Sequence, residues 1–136
     1  MPPRLVDGLN HVYGALHCGI EPGGPCKEKA GLNNHLQCPG APCQGNFHEY
    51  TIEVDRSAKP EKIAWTVDGQ YYQTVKEHDV GTETWSQAVH HGHFLLLNVA
   101  IGGMFPDGIR KSRTPIPETV PGKPMLVDWV AVYYSL

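Results

Sequence analysis

Residues that could do chemistry gather at four places along this 136-residue chain. The first is His93 to Gly103, HFLLLNVAIGG. Phe94 to Ile101 has the length of a strand and is too short to span a bilayer. Alternation sets Phe94, Leu96, Asn98 and Ala100 on one face and Leu95, Leu97, Val99 and Ile101 on the other. The second face is wholly apolar and belongs in a core. The first carries one amide, which needs a partner from a neighbouring strand or a ligand. Gly102 and Gly103 follow, where backbone can approach a ligand closely, and Phe105 comes just after. An amide, two glycines and an aromatic at the end of a buried strand are the parts of a sugar-binding floor. The plainer reading of the same pattern is a central strand with an ordinary turn.

The second place is His17, at the end of an alternating run from His11 in which His11, Tyr13, Ala15 and His17 share a face. A strand histidine is ordinarily solvated or satisfied in a core, but this one directly precedes Cys18-Gly19, where a loop begins and loops carry function. The third is the cysteine set Cys18, Cys26, Cys38 and Cys43, all within Cys18–Gln44, a segment whose Pro-Gly clusters predict neither helix nor ladder. Such a long loop needs tying down, and disulfides contributing about 2–4 kcal/mol each would do so. The rival is a four-cysteine zinc site. Cys38 and Cys43 have four residues between them, but Cys18 and Cys26 have seven, which departs from the closely paired zinc spacing. Disulfides are therefore expected and no metal is; the sequence does not choose among the pairings. The fourth place is Phe47–Asp55, where Glu49, Glu53 and Asp55 share a face. Acid/base work is conceivable there, but the wet face of an outer strand explains the pattern as well.

The elements that must position these groups read as β structure. Ile63–Val75 is the clearest hairpin: IAWTV and QYYQTV flank Asp68-Gly69, the pair that type I′ turns prefer, and that register sets Trp65 opposite Tyr72. Such aromatic pairs stack on sugar rings in carbohydrate grooves, although plain sheet packing uses them more often. Val80–His91 reads as a loop or short helix around Trp85. Five prolines make Pro106–Pro124 a meandering connection, and Met125–Tyr134, apolar on both faces, reads as a closing strand in the middle of a sandwich. With 15 Gly, 12 Pro and short β-branched or aromatic runs, the chain is expected to be an all-β sandwich forming one domain over residues 1–136. A net charge of −3 and a pI near 6.2 offer no electrostatic case for nucleic acid or an anionic membrane as partner. No apolar run is long enough to cross a bilayer, and MPPRLVDG lacks the apolar core of a signal peptide.

Taken together, LHCG with its cysteine loop, FHEYTIEVDRS, WTVDGQYY, HGHFLLLNVAIGGMFPD and PMLVDWVAVYYS resemble glycoside hydrolase family 16. More narrowly they are similar to its laminarinase-like endo-β-1,3(4)-glucanases of fungi and actinobacteria. The resemblance runs from about Val6 to Ser135, with the segments in family order. It implies a curved, concanavalin A-like β-jelly-roll sandwich with a β-glucan groove along the concave sheet, no cofactor, and an extracellular setting. It also implies retaining hydrolysis by two Glu residues of an E-x-D-x-x-E motif, whose carboxyl groups stand about 5–5.5 Å apart. Because strand alternation sends residues five apart to opposite faces, that motif requires a bulge.

Carried over residue by residue, the resemblance makes His17 an assisting histidine beside the acid/base. Asn98, Gly102, Gly103 and Phe105 become the floor and wall of the groove, with Trp65 a further substrate-binding candidate. Alignment through Asp7-Gly8-Leu9-Asn10 places Arg4 where the acid/base Glu belongs and the nucleophile before the first residue, and no such motif occurs elsewhere in these residues. The expectation is a C-terminal half of such an enzyme, lacking the first strands and both catalytic carboxylates, and inactive alone. A non-catalytic β-glucan-binding module is the alternative, as is a structural fragment that self-associates through bare sheet edges.

Overall fold

The computed structural model describes residues 10–135. They fall into two compact units, Met1–His93 and Phe94–Leu136, each considered by itself. In the first unit β1 (His11–Leu16) and β2 (Leu32–Gln37) form an antiparallel pair with His11 opposite Gln37 and Leu16 opposite Leu32. The second sheet is antiparallel in the order β3 (Tyr50–Asp55), β4 (Lys62–Val67), β5 (Gln70–Lys76). Two short helices follow, α1 (Glu77–Val80) and α2 (Thr82–Val89). Mostly antiparallel β structure with a few short helices is the fold class expected from the composition.

The β4–β5 hairpin forms as its turn residues dictate. Asp68 and Gly69 both take positive φ, 49° and 76°, which is the type I′ geometry and matches the twist of the flanking strands. The Asp68 carboxylate accepts from the backbone N–H of Glu49 at 2.9 Å and lies 2.6 Å from Nδ1 of His48, tying the turn to the approach of β3. One detail of the register differs from expectation. Trp65 stands opposite Gln73, and a bulge between Trp65 and Thr66 leaves Tyr72 as the extra residue on β5. Tyr72 still packs on the core beside Trp65.

Trp85 of α2, fully buried, joins Trp65, Ile63, Val75, Val80 and Cys26 in that core. The β1–β2 pair is laid against β5. Asn34 donates to the Tyr72 carbonyl and Gln73 to the Leu32 carbonyl, both at 2.9 Å, so polar side chains lock the two sheets together. Gly14 of β1 sits where a Cβ would come within 2.9 Å of Trp65 Cγ and of the Tyr72 hydroxyl. No larger residue fits there without displacing those rings.

Three expectations need correction. Cys18–Gln44 contains a strand, β2, that its sequence hides: LNNHLQ is rich in residues that strands disfavour, and its pairing with β1 decides its conformation. In the second unit neither Phe94–Ile101 nor Met125–Tyr134 forms a ladder among the described residues; Phe94 is 82% exposed and Tyr133 84%. Alternating apolar residues supply a face, but a strand exists only where a neighbour pairs its backbone. Finally, the stretch read as a turn and meander begins with a helix, α3 (Met104–Arg110). Its start is compatible with Pro106, since the first-turn N–H groups of a helix have no intrahelical partner.

No helix among the described residues is long and apolar enough to cross a membrane.

Candidate functional site

His17 leaves the end of β1 and its Nδ1 lies 2.8 Å from Oε2 of Glu28. The other oxygen of Glu28 accepts from the backbone N–H of Cys18 at 2.9 Å. Glu28 is held as tightly by its own backbone, whose N–H and C=O pair with Gly23 at 2.6 and 2.7 Å. Its side chain is only 8% exposed, whereas that of His17 is 55% exposed. The hydrogen bond from His17 holds the Glu28 carboxyl below its ordinary value against the opposing effect of burial. The imidazole is thus anchored at one nitrogen and open to solvent elsewhere.

The face of β1 that carries His17 also presents a ring cluster. His35 of β2 stands opposite Tyr13, with ring centroids 5.0 Å apart, and lies 5.2 Å edge-on from His11. Rings this close pack edge-on or tilted against one another. The sequence did not point to His35, because its strand was not legible.

Trp65 is 8% exposed and belongs to the core; its ring faces Gly14 and Trp85, not an open groove. Asn98, Gly102, Gly103 and Phe105 lie in the second unit on one continuous run. Asn98 and Gly103 are exposed and Phe105 is 60% exposed. Gly102 has φ 73° and passes so close to Pro115 that a Cβ would come within 2.9 Å of the proline ring. Gly103 caps α3, its carbonyl accepting from the N–H of Asp107 at 3.0 Å. The Asp107 carboxylate in turn accepts from both the backbone N–H and the hydroxyl of Thr114, each at 2.6 Å, which lowers its pKa. Those bonds fix the loop that Gly102 touches, so Phe105 is carried on a braced helix. Arg4 lies outside the described residues.

Two carboxylates of β3 are already engaged by neighbouring side chains. Glu53 accepts from the Tyr71 hydroxyl at 2.6 Å, and Asp55 accepts from the N–H and hydroxyl of Ser57 with Lys62 3.5 Å away. Opposite residues share a face, and Glu53 stands across from Ala64 while the core Trp65 stands across from Ile52. A more elaborate carboxylate centre escaped the sequence reading. Glu61, 5% exposed, accepts from Trp85 Nε1 at 2.9 Å, lies 2.6 Å from His90 Nε2 and 3.0 Å from Lys59 Nζ. Lys59 bridges onward to buried Glu77 at 3.1 Å. His90, then Trp85, hold the Glu61 carboxyl down at about 2. With both oxygens engaged, Glu61 fastens α2 to the start of β4.

The cysteines pair as Cys18–Cys26 and Cys38–Cys43, with Cα separations of 5.8 and 5.4 Å, so the disulfide expectation holds and the pairing is settled. Cys26 is fully buried in the core, and the first bridge therefore pins the loop containing Glu28 to it. Cys38 continues the β1–β2 ladder through a 2.9 Å bond to the Asn10 carbonyl, while the Asn10 side chain holds the N–H of Cys43 at 2.6 Å.

The chain is similar to two known β-glucanases. Over 130 residues it is 26% identical to glucan endo-1,3-beta-glucosidase A1 of Niallia circulans, covering 90% of this chain and 17% of that protein. Its fold superposes on the crystal structure of the endo-1,3-beta-glucanase from Streptomyces sioyaensis with a TM-score of 0.79 and 47% sequence identity, covering 85% of this chain and 41% of that one. No protein-family profile matches the chain. It spans well under half the length of either relative. Sequence and fold thus agree on a laminarinase-like character and a jelly-roll type of β architecture.

Proposed function

We propose that this laminarinase-like chain is a groove-forming portion of an extracellular endo-β-1,3-glucanase of the glycoside hydrolase family 16 kind, contributing sugar contacts and not the two catalytic carboxylates. The observation that carries the reading is the 47% identity at a TM-score of 0.79 to an endo-1,3-β-glucanase, over 85% of these residues. The candidate sugar contacts are taken unit by unit: Asn98, Gly102, Gly103 and Phe105 in the second, and His17 in the first, whose Tyr13–His35 ring pair is a further candidate. Trp65 supports the fold from behind and is not among them.

Retaining hydrolysis needs a nucleophile and an acid/base across the glycosidic bond. No E-x-D-x-x-E motif occurs in these residues, the buried carboxylates Glu61 and Glu77 are locked to Lys59, and Arg4 keeps its proton at neutral pH. The chain alone therefore binds β-1,3-glucan weakly and does not turn it over. Incubation with laminarin, followed by a reducing-sugar assay and a pull-down on insoluble β-1,3-glucan, tests this. Retention without sugar release is expected. Sugar release that disappears in Glu53→Gln would overturn it and reassign the Glu53 face of β3 as the catalytic one.

A second reading, association through sheet edges, is favoured by one feature. β3 pairs only with β4 among the described residues, and its Tyr50, Ile52 and Val54 are 56%, 60% and 51% exposed on the face shared with the core. An open edge with that apolar row is a template for another strand. Concentration-dependent dimerisation by sedimentation, abolished in Ile52→Lys, would support association; a monomer at all concentrations would exclude it.

A further inference from the structure

Around the first disulfide the structure brings together more than a crosslink needs. Ligand atoms of Cys18, Cys26 and Glu28 all lie within 4.8 Å of one another. The carboxylate is fixed on every side: backbone bonds hold the residue at Gly23, Cys18 N–H holds one oxygen, and His17 Nδ1 holds the other. His17 is itself set against Gly31, where a Cβ would come within 2.8 Å of the ring. Nothing comparable surrounds Cys38–Cys43, which has the Asn10 amide beside it and belongs to no such cluster among the described residues.

We propose that reduction of Cys18–Cys26 converts this loop into a site for a thiophilic divalent cation such as Zn²⁺, with two thiolates and the Glu28 carboxylate as ligands. His17 or a water completes the tetrahedron. Two thiolates and one or two N/O donors are a set that Zn²⁺ accepts, with bonds near 2.3 Å to sulfur and about 2.0–2.2 Å to oxygen or nitrogen. Tetrahedral geometry places the sulfurs about 3.8 Å apart, a separation that side-chain rotation can reach from Cα atoms 5.8 Å apart. The contact between His17 and Glu28 supplies the outer hydrogen bond that orients a ligating carboxylate when His17 is not itself a ligand.

The chemistry balances with a dithiol as reductant. Its two thiols close to a disulfide and give up two electrons and two protons, the Cys18–Cys26 bond breaks, and each sulfur gains one proton. Metal binding then expels both thiol protons to solvent as the sulfurs become thiolates. The loop is therefore crosslinked by a covalent bond under oxidising conditions and by an ion under reducing ones.

The test uses the full chain, reduced with dithiothreitol, freed of reductant anaerobically and titrated with Co²⁺, whose absorption reports thiolate coordination. One equivalent should bind with sulfur-to-cobalt charge transfer and be displaced by Zn²⁺; the oxidised protein should show none. Cys38→Ser/Cys43→Ser should keep the full signal, Cys26→Ser should lose it, and Glu28→Gln should weaken affinity at least tenfold. Near-UV circular dichroism tracks folding of each sample. Absence of stoichiometric metal in the reduced protein would overturn the proposal. So would a reduced chain that unfolds and is not restored by metal, or a signal that follows Cys38 and Cys43 instead.

Discussion

Replacing Gly14 by alanine tests whether the two sheets of the first unit meet as described. The added methyl would stand 2.9 Å from Trp65 Cγ, 2.9 Å from the Tyr72 hydroxyl and 3.0 Å from Trp65 Cδ1, all inside van der Waals contact. Trp65 cannot retreat cheaply, because it is wedged in the core with Trp85 and Val75 behind it. Overpacking of this kind costs about 1–3 kcal/mol. For a domain of this size that corresponds to a fall in Tm of roughly 4–8 °C per kcal/mol. Gly92→Ala is the control: it meets nothing within 4 Å and its backbone needs no positive φ, so it should stay within about 0.5 kcal/mol of the parent. Urea unfolding followed by tryptophan fluorescence reads both variants, since Trp65 and Trp85 are buried in the native state. If Gly14→Ala unfolds at the same urea concentration as Gly92→Ala, β1 does not lie against β4 and β5 as the structure has it.

Acid sensitivity should trace in part to Glu61. Its pKa is lowered from an ordinary 4.5 to about 2, so its contribution is complete above 4.5 and is lost as pH falls toward 2; Glu61→Gln should flatten that limb of the stability profile, and an unchanged profile would contradict the Trp85–His90–Glu61 clamp. His48 should behave oppositely: its side chain is 2% exposed, and its nitrogens lie 2.6 Å from Asp68 and 3.0 Å from the Pro42 carbonyl, which suits two donors and hence the imidazolium. Asp68, chiefly, raises its pKa above 6.5, so its contribution is full below 6.5 and is lost as pH rises through the folded value. Imidazole NMR titration should give a pKa above 6.5 that drops in Asp68→Asn; a value insensitive to that change would refute the pair.

Local chemistry made some elements legible and left others hidden. The hairpin could be read because Asp68-Gly69 states its turn type without help from the rest of the chain. β2 could not: its Asn and His residues carry no strand signal, and only pairing with β1 and the bonds of Asn34 and Gln73 to β5 and β2 define it. Phe94–Ile101 and Met125–Tyr134 have the pattern of strands, yet pattern records which face is apolar and not whether a neighbour supplies a ladder. The sequence singles out His17 by its place before a loop, but the half-buried Glu28 that bonds to it lies 11 residues away across a loop and has no periodic signature. Glu61 and His90 were hidden for the same reason, being joined across 29 residues by the packing of α2. A tryptophan in a strand reads alike from sequence whether it faces sugar or core, and Trp65 lies in the core cluster.

Titration of laminari-oligosaccharides into the isotopically labelled chain, followed by NMR, bears most directly on the claim that this chain contributes sugar contacts to β-1,3-glucan. One stacked ring contributes on the order of 1 kcal/mol and millimolar binding corresponds to about 4 kcal/mol, so a few such contacts account for weak but measurable affinity. In the second unit shifts should concentrate at Asn98, Gly102, Gly103 and Phe105, and Asn98→Ala and Phe105→Ala should each weaken binding severalfold; His17 is the residue to watch in the first. Binding that is unaltered in both variants, or shifts confined to the Glu49, Glu53 and Asp55 face, would contradict that claim.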